Sequence, residues 1–215
     1  MASRRTPIFL PLRSISGSIS IFLFLSLLSF YICRTDGYDP LDPNGNITIK
    51  WDILTWNGDT YDARVSIFNF QLFRHVETPG WKLSWEWSNL EVIWNIVGAE
   101  ATEQGDCSRI KGSQLPHSCE KKPVIVDLLP GTPYNMQVAN CCKGGVLSSM
   151  TQDPTKYGAA FQMNVGMVSQ AIANMTMPGN FSLGLPGYSC SEPFNVTPSK
   201  FSSDNGRRWT QALSK

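Results

Sequence analysis

The side chains most able to do work in this sequence are flat rings. Six of its seven tryptophans fall between residues 51 and 94: Trp51, Trp56, Trp81, Trp85, Trp87 and Trp94. An indole or phenol ring can lie against the apolar C–H face of a pyranose, so the spacing nominates Trp56, Tyr61, Trp81, Trp85 and Trp87 as sugar-stacking residues. Trp56 is the best placed of these, because it ends an alternating run and meets Asn57-Gly58, a hairpin turn signal, which puts it at a rim. The competing reading is burial, which is the expected fate of Trp51, Leu83 and Trp85 on an alternating strand. Carboxylates come next. Asp52, Asp59, Asp62, Glu86 and Glu91 could supply the pair that a glycosidase needs. The pattern instead puts Asp52 and Glu86 on the solvent side of strands, and Asp59 and Asp62 in a turn. With two histidines, His75 and His117, and no nucleophile-elbow, zinc-helix, phosphate-loop or dinucleotide motif, the expectation is a protein that is not an enzyme and needs no cofactor or metal.

The chain's address narrows the setting. Residues 1–37 carry Arg4, Arg5 and Arg13 ahead of the apolar run Ile19–Ile32, and small residues Thr35 and Gly37 precede Tyr38. That is the layout of a signal peptide cut before Tyr38, with an uncleaved signal anchor as the alternative. The leader holds four of the 18 basic residues and one of the 17 acidic ones, so the net charge moves from +1 to −2 on its removal. Such a balance argues against a nucleic-acid partner. Export favours disulfides among Cys107, Cys119, Cys141, Cys142 and Cys190, with adjacent Cys141 and Cys142 expected to reach two different partners. Five is odd, so either one thiol is free or its partner lies beyond Lys215, the second being favoured. A zinc site from Cys107, Cys119, the Cys pair and His117 is the rival reading, and the spacings fit no zinc template. Four sequons, at Asn46, Asn174, Asn180 and Asn195, mark expected surface positions for N-glycans.

The elements that must position these residues read as strands. Ile47–Trp56 and Trp81–Trp87 alternate apolar and polar with period two, Tyr61–Phe73 is rich in β-branched and aromatic residues, and Glu91–Gly98 follows after a turn. Residues 99–123 form a polar loop tied by at least one disulfide. Strand character returns at Val124–Leu129, Tyr134–Asn140 and Ala159–Val168, while Val165–Asn174 reads equally as a short helix. Residues 178–198 form loops with short edge strands, and Arg207–Leu213 is an apolar start with nothing to pair against. The fold class expected is all-β: an antiparallel β-sandwich, immunoglobulin-like or carbohydrate-binding-module-like, with disulfide-tied loops.

Several strings, taken together, resemble the plant COBRA family: Tyr38–Asp52 (YDPLDPNGNITIKWD), Glu91–Trp94 (EVIW), Ala101–Cys107 (ATEQGDC), Pro116–Cys119 (PHSC), Val126–Gly131 (VDLLPG), Asn140–Gly145 (NCCKGG) and Thr210–Leu213 (TQAL). The resemblance implies a non-enzymatic extracellular protein whose N-terminal β-sandwich contacts cellulose or a related β-glucan. It further implies a role in organising cellulose microfibrils during cell wall biogenesis and growth. Family members are held at the plasma membrane by a glycosylphosphatidylinositol anchor. On this reading residues 38–215 are a COBRA-like region incomplete at its C-terminal end, since the family's later cysteine-rich segment and anchor signal are not in the sequence. The second functional reading is a secreted protein-interaction module whose aromatics are all buried.

Overall fold

The computed structural model describes residues 39, 41–168, 176–202 and 206–213. The expected signal peptide, the sequon at Asn174 and most of the possible helix over 165–174 lie outside them. Ten strands follow in order: β1 (Ile47–Asn57), β2 (Thr60–Asn69), β3 (Lys82–Glu86), β4 (Val92–Val97), β5 (Ala99–Ala101), β6 (Val124–Asp127), β7 (Gly158–Gly166), β8 (Gly179–Ser182), β9 (Lys200–Ser202) and β10 (Trp209–Gln211). One four-stranded sheet runs β1-β2-β7-β4, a second runs β5-β6-β3-β8, and β9 and β10 form a separate hairpin. Every pairing is antiparallel.

The two four-stranded sheets pack as a sandwich because each contributes one unbroken apolar face. β2 turns Tyr61, Ala63, Val65 and Ile67 inward, and β7 opposes them with Ala159, Phe161, Met163 and Val165. Across the core, Trp81, Leu83, Trp85 and Trp87 stand at every second position of the β3 segment, all at most 2% exposed. The layers meet through rings. Trp51 of β1 lies edge-on to Trp85 at 5.2 Å and to Trp87 at 6.0 Å, and Trp81 stacks near Phe161 at 6.2 Å. The indole nitrogens of Trp51, Trp81, Trp85 and Trp87 are buried without a hydrogen-bond partner. For Trp51, Trp85 and Trp87, the mutual edge-to-face geometry presents ring edges to neighbouring π faces, which offsets part of that cost.

The β1–β2 hairpin turns at Gly58-Asp59 as expected, with Gly58 at φ 70° and Asn57 paired to Thr60. β2 ends at Asn69, short of the expected Phe73, because the fully buried Asn69 side chain redirects the chain. Its amide donates to the carbonyls of Arg74 (2.8 Å) and Ser148 (3.2 Å), and its carbonyl oxygen accepts from the backbone and side-chain nitrogens of Gln71. The 99–123 loop is tied by the Cys107–Cys119 disulfide, and its first residues form the short strand β5, which the sequence had not marked.

Three expectations are corrected. Tyr134–Asn140 is not a strand: Tyr134–Met136 is a single 3-10 turn, exposed throughout. Cys141 and Cys142 are bonded to each other, not to separate partners, which leaves Cys190 without a disulfide partner in the structure. Both departures come from the demand that the chain reverse tightly after β6. Asn140, Cys142, Gly144 and Gly145 all take positive φ, at 74°, 68°, 64° and 77°. The amides of Cys142, Lys143 and Gly145 then converge on the Asp127 carboxylate at 2.8, 2.8 and 3.0 Å. Gly145 and Gly80 pass so closely that a Cβ on Gly80 would sit 2.4 Å from the Gly144 carbonyl oxygen. Finally, the segment ending at Leu213 does have a partner: β10 pairs with β9, and the Leu213 amide donates to the Ile53 carbonyl at 2.8 Å.

Candidate functional site

The five aromatic candidates divide sharply. Tyr61, Trp81, Trp85 and Trp87 are 1 to 2% exposed and belong to the core, so none can offer a face to a sugar. Alternation on the strand correctly grouped them on one face, and that face is the one the second sheet covers. Trp56 is only partly buried. Its ring lies parallel to Tyr61, 5.6 Å away and 3° from coplanar, at the hairpin end of β1 and β2. Tyr61 thus backs Trp56 and fixes its plane.

The opposite, outward face of the same sheet carries a constellation the sequence reading missed. Cross-strand pairing sets Asp52 beside Arg64, Lys50 beside Ser66, and Thr48 beside Phe68. At one end, Phe68, Phe70 and Tyr157 form a cluster with centroids 5.7 to 5.9 Å apart. Phe68 lies over Gly158, its partner on β7, where a Cβ would come to 3.1 Å from the ring, a tight approach that glycine avoids. Phe70 is 38% exposed. Neighbouring Phe73 is 54% exposed, which makes this end of the sheet an apolar, ring-rich surface.

Next to this cluster β9 and the Asn140 turn border a half-open cavity of about 280 Å³ over the sheet. Its floor is Lys50, Asp52, Arg64 and Ser66, and Phe68 and Phe201 stand at its sides. Arg64 is 3% exposed. Its Nη2 donates to the Ala139 carbonyl at 2.9 Å, and its guanidinium carbon sits 4.7 Å from the Phe201 ring centre. Burial pulls the Arg64 guanidinium below its usual range, and the Asp52 carboxylate opposes that shift. Asp52 in turn accepts from the Ser199 amide at 3.3 Å. No sequence signal could have found this site, since Arg64 and Ser199 lie far apart in the chain and only the fold joins them.

The carboxylates considered for catalysis have local partners. Asp62 accepts from Thr55 and Asn164, Glu91 from the backbone and side chain of Asn89, and Glu86 from Asn180 and Lys122. Those bonds, first from Asn180 and then from Lys122, hold the Glu86 carboxyl below its ordinary range. The histidines are likewise engaged. His75 Nδ1 accepts from the Ser149 amide, which fixes the tautomer and makes Nε2 the donor to Gln152. His117 Nε2 accepts from the Ala101 amide at 3.2 Å, and burial lowers its affinity for a proton. Because Cys107 and Cys119 bond each other, the zinc set built on them is dissolved. The sequon asparagines Asn46, Asn180 and Asn195 are exposed, as an acceptor must be.

Fold and surface together define an all-β sandwich protein with disulfide-tied loops and a ring-bearing outer face. Residues 61–215 match the COBRA N-terminal domain. The chain is 54% identical over 196 residues to COBRA-like protein 1 of Oryza sativa subsp. japonica and, over the same length, to COBRA-like protein 2 of Arabidopsis thaliana. It is 49% identical over 209 residues to Protein COBRA of Arabidopsis thaliana. These alignments cover 90 to 92% of this chain and 44 to 46% of the relatives, so the chain spans a little under half their length. It belongs to the COBRA family.

Proposed function

We propose that this protein is a non-enzymatic, extracellular cellulose- or β-glucan-binding protein that helps organise cellulose microfibrils in plant cell wall biogenesis and cell growth. On this reading it works in the cell wall or at the outer face of the plasma membrane, the place where family members are lipid-anchored. Family membership supports the wall-related setting. The observation that carries the binding is the outward ring cluster of half-buried Phe68 and Tyr157 with exposed Phe70; Trp56 on its Tyr61 backing offers a separate ring at the other end of β1 and β2. Sugars bind such surfaces through apolar ring faces held in place before contact, so little ordering entropy remains to be lost. No proton transfer or nucleophile is required. The exposed sequons put N-glycans on surfaces away from the core.

The test is retention on cellulose. Trp56→Ala and Phe70→Ala should each weaken it while lowering the unfolding midpoint far less than Trp85→Ala does. Retention unchanged in both would remove these rings from the site.

Burial of Tyr61, Trp81, Trp85 and Trp87 favours a second reading, a surface module that binds another protein. The exposed Leu129, Tyr134 and Met136 around the 3-10 turn are its natural contact point. In that case glucan retention would be absent from the outset, and Tyr134→Ala would disrupt partner binding.

A further inference from the structure

The cavity beside β9 is lined by four charged side chains, three of them basic. Arg64 lines it, and its Nη1, shut off from solvent, has no hydrogen-bond partner; the same holds for the Ser199 hydroxyl. Buried donors are normally satisfied, and an idle guanidinium N–H is among the costliest to leave so. Lys50, Arg64 and Lys200 line the cavity against the single carboxylate of Asp52, an excess of two positive charges in a chain with net charge +1. Asp52 is itself engaged by the Ser199 amide. Flat rings, Phe68 and Phe201, flank these donors.

We propose that this cavity binds the carboxylate of an acidic sugar, a uronate unit of a polysaccharide. The carboxylate takes the ammonium groups of Lys50 and Lys200, and the Arg64 guanidinium adds its charge from the cavity floor. Phe68 covers the C–H face of the pyranose. A neutral glucose unit of similar shape would leave the excess charge uncompensated, so the cavity discriminates by charge where the ring cluster beside it does not. At about 280 Å³ the space is just under the roughly 300 Å³ at which pockets for drug-sized ligands begin, which suits one sugar unit. Lys200 is exposed, at the open side where the polymer would continue. This site adjoins the proposed cellulose surface and shares Phe68 with it. A wall protein carrying both would meet a neutral and an acidic polysaccharide at neighbouring sites.

Calorimetric titration of the full chain with a short oligogalacturonate tests the inference, with a cello-oligosaccharide and inorganic phosphate as parallel arms. The expected result is binding of the oligogalacturonate that weakens with added salt, with both other ligands much weaker. Arg64→Gln, which removes one of the three positive charges lining the cavity, should weaken it about tenfold. Lys200→Ala should weaken it about threefold, as for an exposed ion pair. Should Arg64→Gln fail to fold by its melting curve, the double variant Lys50→Ala with Lys200→Ala carries the test. No oligogalacturonate binding, binding indifferent to these lysines, or phosphate binding as tightly would each overturn the proposal. Cellulose retention of the same variants is expected to be unchanged, so failure here and failure of the glucan reading give different patterns.

Discussion

The two faces of the β1-β2-β7-β4 sheet are drawn from the same strands and differ by one residue of offset. The inner set (Tyr61, Val65, Ile67, Phe161, Met163, with half-buried Trp51 at its edge) meets the tryptophan row of the second sheet and is largely sealed from water. The outer set (Lys50, Asp52, Arg64, Ser66, Phe68) meets only a hairpin and a turn, which leave a cavity and a patch of rings. Aromatic side chains occur on both faces and do different jobs. Inside, their value is the area they remove from water; outside, on the proposed reading, it is the area they leave available. Counting tryptophans therefore locates the core, and a search for a binding surface has to follow the phenylalanines and tyrosine on the other side.

The strongest way to break this comparison is at its centre. Trp85→Ala should cost about 3–5 kcal/mol in urea unfolding, because it empties the middle of the edge-to-face cluster; a loss within experimental noise would mean the inner face is not the core. Next in size is Asp127→Asn, expected to cost about 1–3 kcal/mol, since an amide NH₂ would face backbone N–H groups that now share a carboxylate oxygen. That loss should register as faster proteolysis around residues 140–145. A smaller effect comes from pH. His117 has a proton affinity lowered by burial, so the unfolded chain takes up a proton more readily than the folded one. Its contribution is complete above the ordinary histidine range near pH 6.5 and is lost as pH falls through the depressed folded value. Melting points followed downward from neutral pH should decline, and His117→Gln should flatten part of the decline. Among the ring removals the smaller cost falls on Phe70→Ala, about 0.5–1.5 kcal/mol for its contacts with Phe68 and Tyr157, despite its expected effect on cellulose retention.

Much of the fold was legible because period-two alternation is a local property. Trp81, Leu83, Trp85 and Trp87 announce one face of a strand, and Asn57-Gly58 announces the hairpin. What alternation cannot say is which face a second sheet will cover, and there the stacking role assigned to Tyr61, Trp81, Trp85 and Trp87 failed. Tyr134, Met136 and Val138 also alternate, yet the three amides gathered by Asp127 after β6 require a tight reversal that a strand would prevent. The Arg64 cavity was beyond reach for a different reason. Its walls come from β1, β2, the Asn140 turn and β9, and nothing within any one of those segments signals the others.

The most direct trial of the account pairs two measurements on the same proteins: cellulose retention and unfolding midpoint for Phe70→Ala combined with Tyr157→Ala. The account predicts that retention falls steeply while the midpoint drops much less than in Trp85→Ala and the chain stays folded. Full retention in that double variant, with the fold intact, would contradict it.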